Sequence, residues 1–231
     1  MRKTNNALAG LARNGRAVVR YERAALSPEE AAEFAALAAR GILEVESLAA
    51  LAGGAALTFE VRGDGAISRA RGRTVQLSAH RVRSRTAPYL HEIAHVLLPC
   101  THAPEWFGEG LACYIEATVG ELGGGYDSRL FTSDGNRGVV ADAQQWLADP
   151  RGRAVLRFVG ARGMPPGIVR DRMNVAAPFY VLSHALVQFL AAKTSIAFLA
   201  RLARAKAFAR ELKRETGMTA AAWRSEWLET F

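Results

Sequence analysis

Two histidines four residues apart, with a glutamate beside the first, sit in the most strongly helical stretch of this chain, Leu90-His91-Glu92-Ile93-Ala94-His95. Thr86 and Pro88 open the stretch, Pro99 closes it, and Leu90, Ile93, Ala94 and Leu97 recur at helical spacing, so one face is buried. Residues i and i+4 lie on the same face of a helix, which lets both imidazoles reach one metal ion. Glu92 projects about a quarter turn away, beside such an ion rather than on it, where it can take a proton from water.

A catalytic zinc needs a third protein ligand and an open fourth position. Three residues downstream are candidates: His102, Glu105 and Glu109. His102 fails the extended pattern H-E-x-x-H-x-x-G-x-x-H, because the chain has Leu98 and Thr101 where that pattern needs glycine and histidine. Glu105 follows Pro104 in the first turn of the next expected helix, where a carboxylate offsets the positive helix terminus. Glu109 lies one turn deeper, between Trp106-Phe107 and Gly110-Leu111-Ala112, where a carboxylate is costly without a partner such as a metal ion.

The two segments together, His91-Glu92-Ile93-Ala94-His95 and Pro104-Glu105-Trp106-Phe107-Gly108-Glu109-Gly110-Leu111-Ala112-Cys113-Tyr114, resemble the gluzincin pattern HExxH…P-x-W-x-x-E-G-x-A-x-Y. That pattern belongs to the thermolysin-like clan of zinc metallopeptidases, and specifically to the peptidase-MA-like proteins related to M1 aminopeptidases. The resemblance implies one zinc ion per chain on His91, His95 and Glu109. It also implies Glu92 as general base toward a zinc-activated water, and a peptide or protein substrate. It implies a tyrosine on a later helix as donor to the reaction's oxyanion, which falls on Tyr180 with His184 as alternative or partner. Thirteen residues separate His95 from Glu109, as in the compact relatives. The similarity continues through Phe179-Tyr180-Val181-Leu182-Ser183-His184 and a closing helix after Thr216-Gly217-Met218 with Trp223 and Trp227. The Gly-x-Met-Glu-Asn strand of M1 aminopeptidases is absent, so aminopeptidase specificity is not implied. By fold analogy, the Thr74 to Ser78 strand would be the sheet edge along which a peptide pairs.

The remaining pattern points to an α+β fold, strands first and helices later. Residues 1–16 read as a flexible N-terminus and residues 17–231 as a single metallopeptidase unit, with sheet plus zinc-site helices over 17–125 and a mainly helical half over 126–231. Strands are expected at Val18 to Tyr21, Leu57 to Val61 and Thr74 to Ser78, with a Gly63-Asp64-Gly65 turn. Ser27-Pro28-Glu29-Glu30 opens a helix expected to end at Gly53-Gly54. A glycine-rich loop is expected over Gly120 to Gly125, a helix over Ala141 to Leu147, a loop over Gly160 to Arg172, and helices from about Ala177 onward.

The net charge of +8 comes from 26 Arg and 4 Lys against 22 acids, with the arginines scattered from Arg2 to Arg224. Without a basic block or an aromatic-interleaved stripe, this argues against a nucleic-acid partner. No apolar run reads as a transmembrane span, since Val175 to Ala192 is interrupted by His184 and Gln188. No secretory signal is evident near the start, which suits the cytoplasm; a removed leader would suit the periplasm or secretion, so the compartment stays open. Cys100 and Cys113 are free thiols or one disulfide. The alternative to an enzyme is a non-catalytic, zinc-containing module that binds peptides or proteins. A structural zinc takes four protein ligands, for which His102 or Glu105 would be needed, and has no use for Glu92.

Overall fold

A computed structural model of the chain describes residues 8–63, 65–121 and 131–231. These divide into two compact units. The first, residues 8–47 and 51–97 with the end of the fourth helix, holds a five-stranded mixed sheet. Its strands are β1 (Gly10–Asn14), β2 (Ala17–Tyr21), β3 (Leu57–Arg62), β4 (Arg69–Arg71) and β5 (Thr74–Ser78). They lie in the order β1-β2-β3-β5-β4, with β2, β3 and β5 parallel and the two outer strands antiparallel. The expected strands at Leu57 and Thr74 form because alternate residues are apolar; Leu57, Phe59, Val61, Val75 and Leu77 are all buried on one face.

Two expectations are corrected here. Gly10–Asn14, inside the segment read as flexible, is an edge strand paired with β2. Its glycine and polar residues gave no alternation to read, and the hairpin partner supplies the order. The Thr74–Ser78 strand is not the sheet edge; β4 pairs with it through Arg69↔Gln76 and Arg71↔Thr74, so β4 takes the edge. A two-residue turn joins them, with Gly72 at φ 56°, a conformation glycine enters without strain.

Helix α1 (Pro28–Leu48) crosses between the parallel strands β2 and β3. It starts in a capping box: Glu30 N donates to Ser27 Oγ at 3.1 Å and Ser27 N donates to Glu30 Oε2 at 2.8 Å. It ends earlier than Gly53-Gly54. Ala50 takes a left-handed φ of 51° and Leu51 N donates to Glu46 O at 2.8 Å, so a Schellman-type bond stops the helix without a glycine. Its buried stripe of Phe34, Ala38, Gly41, Ile42 and Val45 covers the sheet, with Phe34 edge-on to Phe59 at 5.7 Å. A short α2 (Ala79–Arg83) and then α3 (Tyr89–Leu97) complete this unit.

The second unit, Leu98–Thr118 and residues 131–231, is helical. It contains α4 (Glu105–Glu121, its last residues excepted), α5 (Gly135–Ala148), α6 (Pro150–Leu156), α7 (Ala177–Lys193), α8 (Ile196–Ala203), α9 (Phe208–Thr216) and α10 (Ala220–Leu228). α6 forms where the sequence pattern predicts no helix; Asp149-Pro150 supplies a cap and a first-turn proline, and Asp149 accepts from Arg151 N. α7 is buried along most of its length and forms the unit's core. A π-helical turn, Arg172–Ala176, runs directly into it. The continuous helix Arg172–Lys193 is therefore long and apolar enough to pass for a membrane span by length and composition, contrary to the sequence reading, but 67% of its apolar window is buried inside the protein. The final helix opens at Thr219 as expected, whose side chain accepts from Ala222 N, and Trp223 and Trp227 are both buried. Asp64 of the expected turn and residues 122–125 of the expected glycine-rich loop lie outside the described residues.

Candidate metal centre

Helix α3 is only nine residues long, yet seven are buried, including His91 and Glu92. Local sequence allows this because a glycine faces it on α1. A Cβ on Gly41 would come within 2.8 Å of Leu90 Cδ2 and 2.9 Å of Tyr89 Cε2, so α3 packs closer there than any other residue permits. Tyr89 also stands edge-on to Phe34 at 5.9 Å. Leu90 and Ile93 are thereby driven into the core, and the histidines are turned together. His91 Nε2 and His95 Nε2 lie 3.0 Å apart, with the rings at 80° to one another.

Helix α4 supplies the carboxylate. Trp106 and Phe107, both fully buried, pack edge-on to Phe208 at 6.4 and 4.8 Å and fix the first turn. Gly108 lies against Cys100, where a Cβ would be 3.2 Å from the cysteine Cβ. Gly110 lies against α7, where a Cβ would be 2.7 Å from the Ser183 carbonyl carbon. Between these two glycines sits Glu109. One ligand atom each from His91, His95 and Glu109 falls within 4.8 Å of the others, and the three form a group able to hold a metal ion. His91 is buried and the other two are half-buried.

The donor set fits zinc. Two imidazole nitrogens and one carboxylate oxygen are a known catalytic ligand set that leaves a fourth position open. Two ligands at zinc's bond lengths stand about 3.3 Å apart in a tetrahedral site, close to the observed separation of the histidine nitrogens. Glu105 and His102 are not part of the group. Glu105 is exposed and accepts from Gly163 N at 3.1 Å, and His102 is exposed.

Cys100 and Cys113 are not joined in a disulfide. Burial first, and the Glu109 carboxylate second, push the Cys100 thiol up to about 12, which keeps it protonated at neutral pH.

Tyr180 and His184, one turn apart on α7, lie outside the metal-binding group. Tyr180 is half-buried with its ring 5.5 Å from that of Phe131. His184 is fully buried, and its Nε2 is 2.7 Å from Asn136 Oδ1. Asn136 in turn donates from Nδ2 to Thr118 Oγ1 at 2.9 Å, and its carbonyl accepts from Gln188 Nε2 at 2.9 Å. A buried polar chain thus links α4, α5 and α7 within the second unit. Asn136 was missed in the sequence, where one asparagine in the first turn of a helix carries no mark of a histidine 48 residues away.

No protein-family model matches the chain, and no curated protein matches it in sequence. Two solved structures do match in fold. One is a mutant M1 zinc metallopeptidase from Deinococcus radiodurans; the other is a mutant two-domain M1 zinc metallopeptidase bound to L-arginine. Each superposes with a TM-score of 0.51 at 17% identity, over 95% of this chain. The chain spans about half the length of these two proteins, 50% in each case. The α+β arrangement of a mixed sheet, an HExxH helix and a helical C-terminal part is therefore a zincin-like fold, with a His-His-Glu group of the kind that holds zinc.

Proposed function

We propose that the protein is a zinc-dependent peptide hydrolase of the gluzincin type, with zinc on His91, His95 and Glu109 and Glu92 as general base. The observation that carries this reading is the convergence of the three donor atoms within 4.8 Å, two of them from the HExxH helix, in a chain of zincin-like fold. A bound zinc ion would supply Lewis acidity, polarising a carbonyl and lowering the pKa of water toward about 7. The rest falls to the chain's own residues. Glu92, only 6% exposed, accepts the proton of the attacking water through its carboxylate. It returns that proton to the amide nitrogen as the C–N bond breaks. Tyr180 donates its hydroxyl hydrogen to the oxygen that gains negative charge. His184, held by Asn136, fixes the helix that carries Tyr180. Peptides are the substrate class because amide hydrolysis is the chemistry this donor set and base perform, and the solved relative bound to an amino acid is consistent with it.

The test is metal content by mass spectrometry and cleavage of a mixed peptide library, for wild type beside Glu92→Gln and Glu109→Ala. One zinc per chain, kept in Glu92→Gln, weakened in Glu109→Ala and without cleavage in either variant, is the expected result. Zinc without cleavage in the wild type would replace the enzyme by a zinc-containing peptide-binding module, and no zinc would remove the reading altogether.

A further inference from the structure

The sheet of the first unit buries one face and leaves the other partly exposed, since Thr58, Glu60 and Arg62 on β3 alternate with the buried residues. On that open face, where β3, β5 and β4 lie side by side, is a groove of about 770 Å³. Its walls are Glu60, Arg62, Arg69, Arg71, Thr74 and Gln76, with the backbone of Gly72 at one end. Strand register makes it a built array rather than a chance gathering. Glu60, Gln76 and Arg69 form one row across three strands, and Thr74 and Arg71 are opposed in the next.

Three guanidinium groups face one carboxylate here, which leaves two positive charges. Glu60 is already engaged, since its Oε2 accepts from Arg62 Nη2 at 2.7 Å. Arg62 Nε is buried and has no hydrogen-bond partner among the described residues. Leaving such a donor unsatisfied is costly unless a ligand or water completes it. Arg69 Nε donates to Gln76 Oε1 at 3.0 Å, which turns the Gln76 amide group into a remaining donor. Neither Arg69 nor Arg71 has an acidic partner among the described residues.

We propose that this groove binds a phosphate monoester. Such a group carries about −1.5 to −2 charges near neutrality, which matches the surplus of two. Guanidinium forks offer paired N–H donors to its oxygens, and the Thr74 hydroxyl and Gln76 amide add neutral ones. Among the described residues no aromatic or aliphatic side chain lines the groove, so a nucleobase has nothing there to stack on and an acyl chain nothing to bury against. Recognition therefore rests on the charged group. That group arrives either on a small molecule or on a phosphorylated side chain, and both present the same chemistry. The site lies on the sheet and does not depend on the zinc chemistry proposed above.

Calorimetric titration of the full chain tests this, with inorganic phosphate, a phosphoserine peptide, the same peptide with glutamate in place of phosphoserine, and a short single-stranded oligonucleotide as probes. Saturable binding of phosphate and of the phosphopeptide is expected. It should weaken about tenfold or more in Arg71→Gln and further in Arg69→Gln/Arg71→Gln, with the thermal unfolding profile and metal content unchanged. A phosphopeptide that binds tighter than phosphate points to a phosphorylated side chain, the reverse to a small molecule, and both uphold the site. No saturation by either probe up to about 10 mM would overturn the proposal. So would glutamate peptide or oligonucleotide binding as tightly as phosphopeptide, or affinity unchanged in the double variant.

Discussion

Gly110 separates two influences of alanine that usually act together. In a helix interior alanine is favoured over glycine by about 1 kcal/mol. At position 110 the added methyl would stand 2.7 Å from the carbonyl carbon of Ser183 and 2.8 Å from Val187 Cγ2, whereas ordinary contact begins near 3.4 Å. α4 and α7 would have to part by about 0.7 Å or more, and the atom first met is backbone, which cannot rotate away. Overpacking of this kind costs about 3 kcal/mol, so Gly110→Ala should lose a net of about 2 kcal/mol. Gly120→Ala, near the far end of the same helix, meets nothing within 4 Å and should gain up to about 1 kcal/mol. Urea titrations followed by circular dichroism read both. With a slope of about 3 kcal/mol/M, the midpoint should fall by about 0.7 M in the first variant and rise by about 0.3 M in the second. Because Gly110 adjoins Glu109, affinity for the zinc ion proposed above should fall with it. A Gly110→Ala protein as stable as the wild type would refute the close approach of α4 and α7 and the placement of Glu109 that follows from it.

Two further outcomes follow from ionised groups. Arg16 clasps the buried Glu46 in a two-bond fork, Nη1 to Oε2 at 2.6 Å and Nη2 to Oε1 at 2.7 Å. Arg16→Met should cost about 3 kcal/mol in denaturant titrations by stranding that carboxylate, and Arg16→Met/Glu46→Gln should recover most of the loss; equal stabilities of the single and double variants would contradict this. Asp149, at the start of α6, is held down to about 2 by the Arg151 side chain first and by its backbone N–H second. Because the folded value lies below the ordinary 3.8, its contribution is complete above about pH 4 and disappears as pH falls toward 2. Melting temperatures of wild type and Asp149→Asn should therefore differ at pH 6 and converge near pH 2; a constant gap would remove the assignment.

What the sequence disclosed was whatever repeats locally. α3 was legible from its apolar period and bounding prolines, β5 from Val75 and Leu77 alternating with polar residues, and α1 from the Ser27/Glu30 pair. The histidine pair was legible because its geometry is set inside one helix. Glu109 was legible only through its helix and its resemblance to a known pattern, since nothing local says which carboxylate faces a metal. The hidden features all depend on a partner distant in sequence. β1 and β4 lack apolar alternation and are ordered by the strands beside them. The π-helical turn that lengthens α7 leaves no mark in its Arg-Met-Asn-Val-Ala. Asn136 acquires its meaning only when α5 is laid beside α7. The groove of arginines looked in sequence like part of a scatter, because strand register, not spacing along the chain, brings Arg62 beside Arg69 and Arg71.

The shape of the sheet has a bearing on how the protein behaves in a crowded solution. Any open sheet has two rims of bare backbone donors and acceptors, and each can recruit a strand from another molecule. Here the rims are the five-residue β1 and the three-residue β4, the shortest strand in the sheet. Arg13 stands on the one and Arg69 and Arg71 on the other. Two copies approaching rim to rim would bring like charges together and would find only three residues to pair with on β4, while the more apolar strands β2, β3 and β5 stay in the interior, so intermolecular sheet growth has no good place to begin.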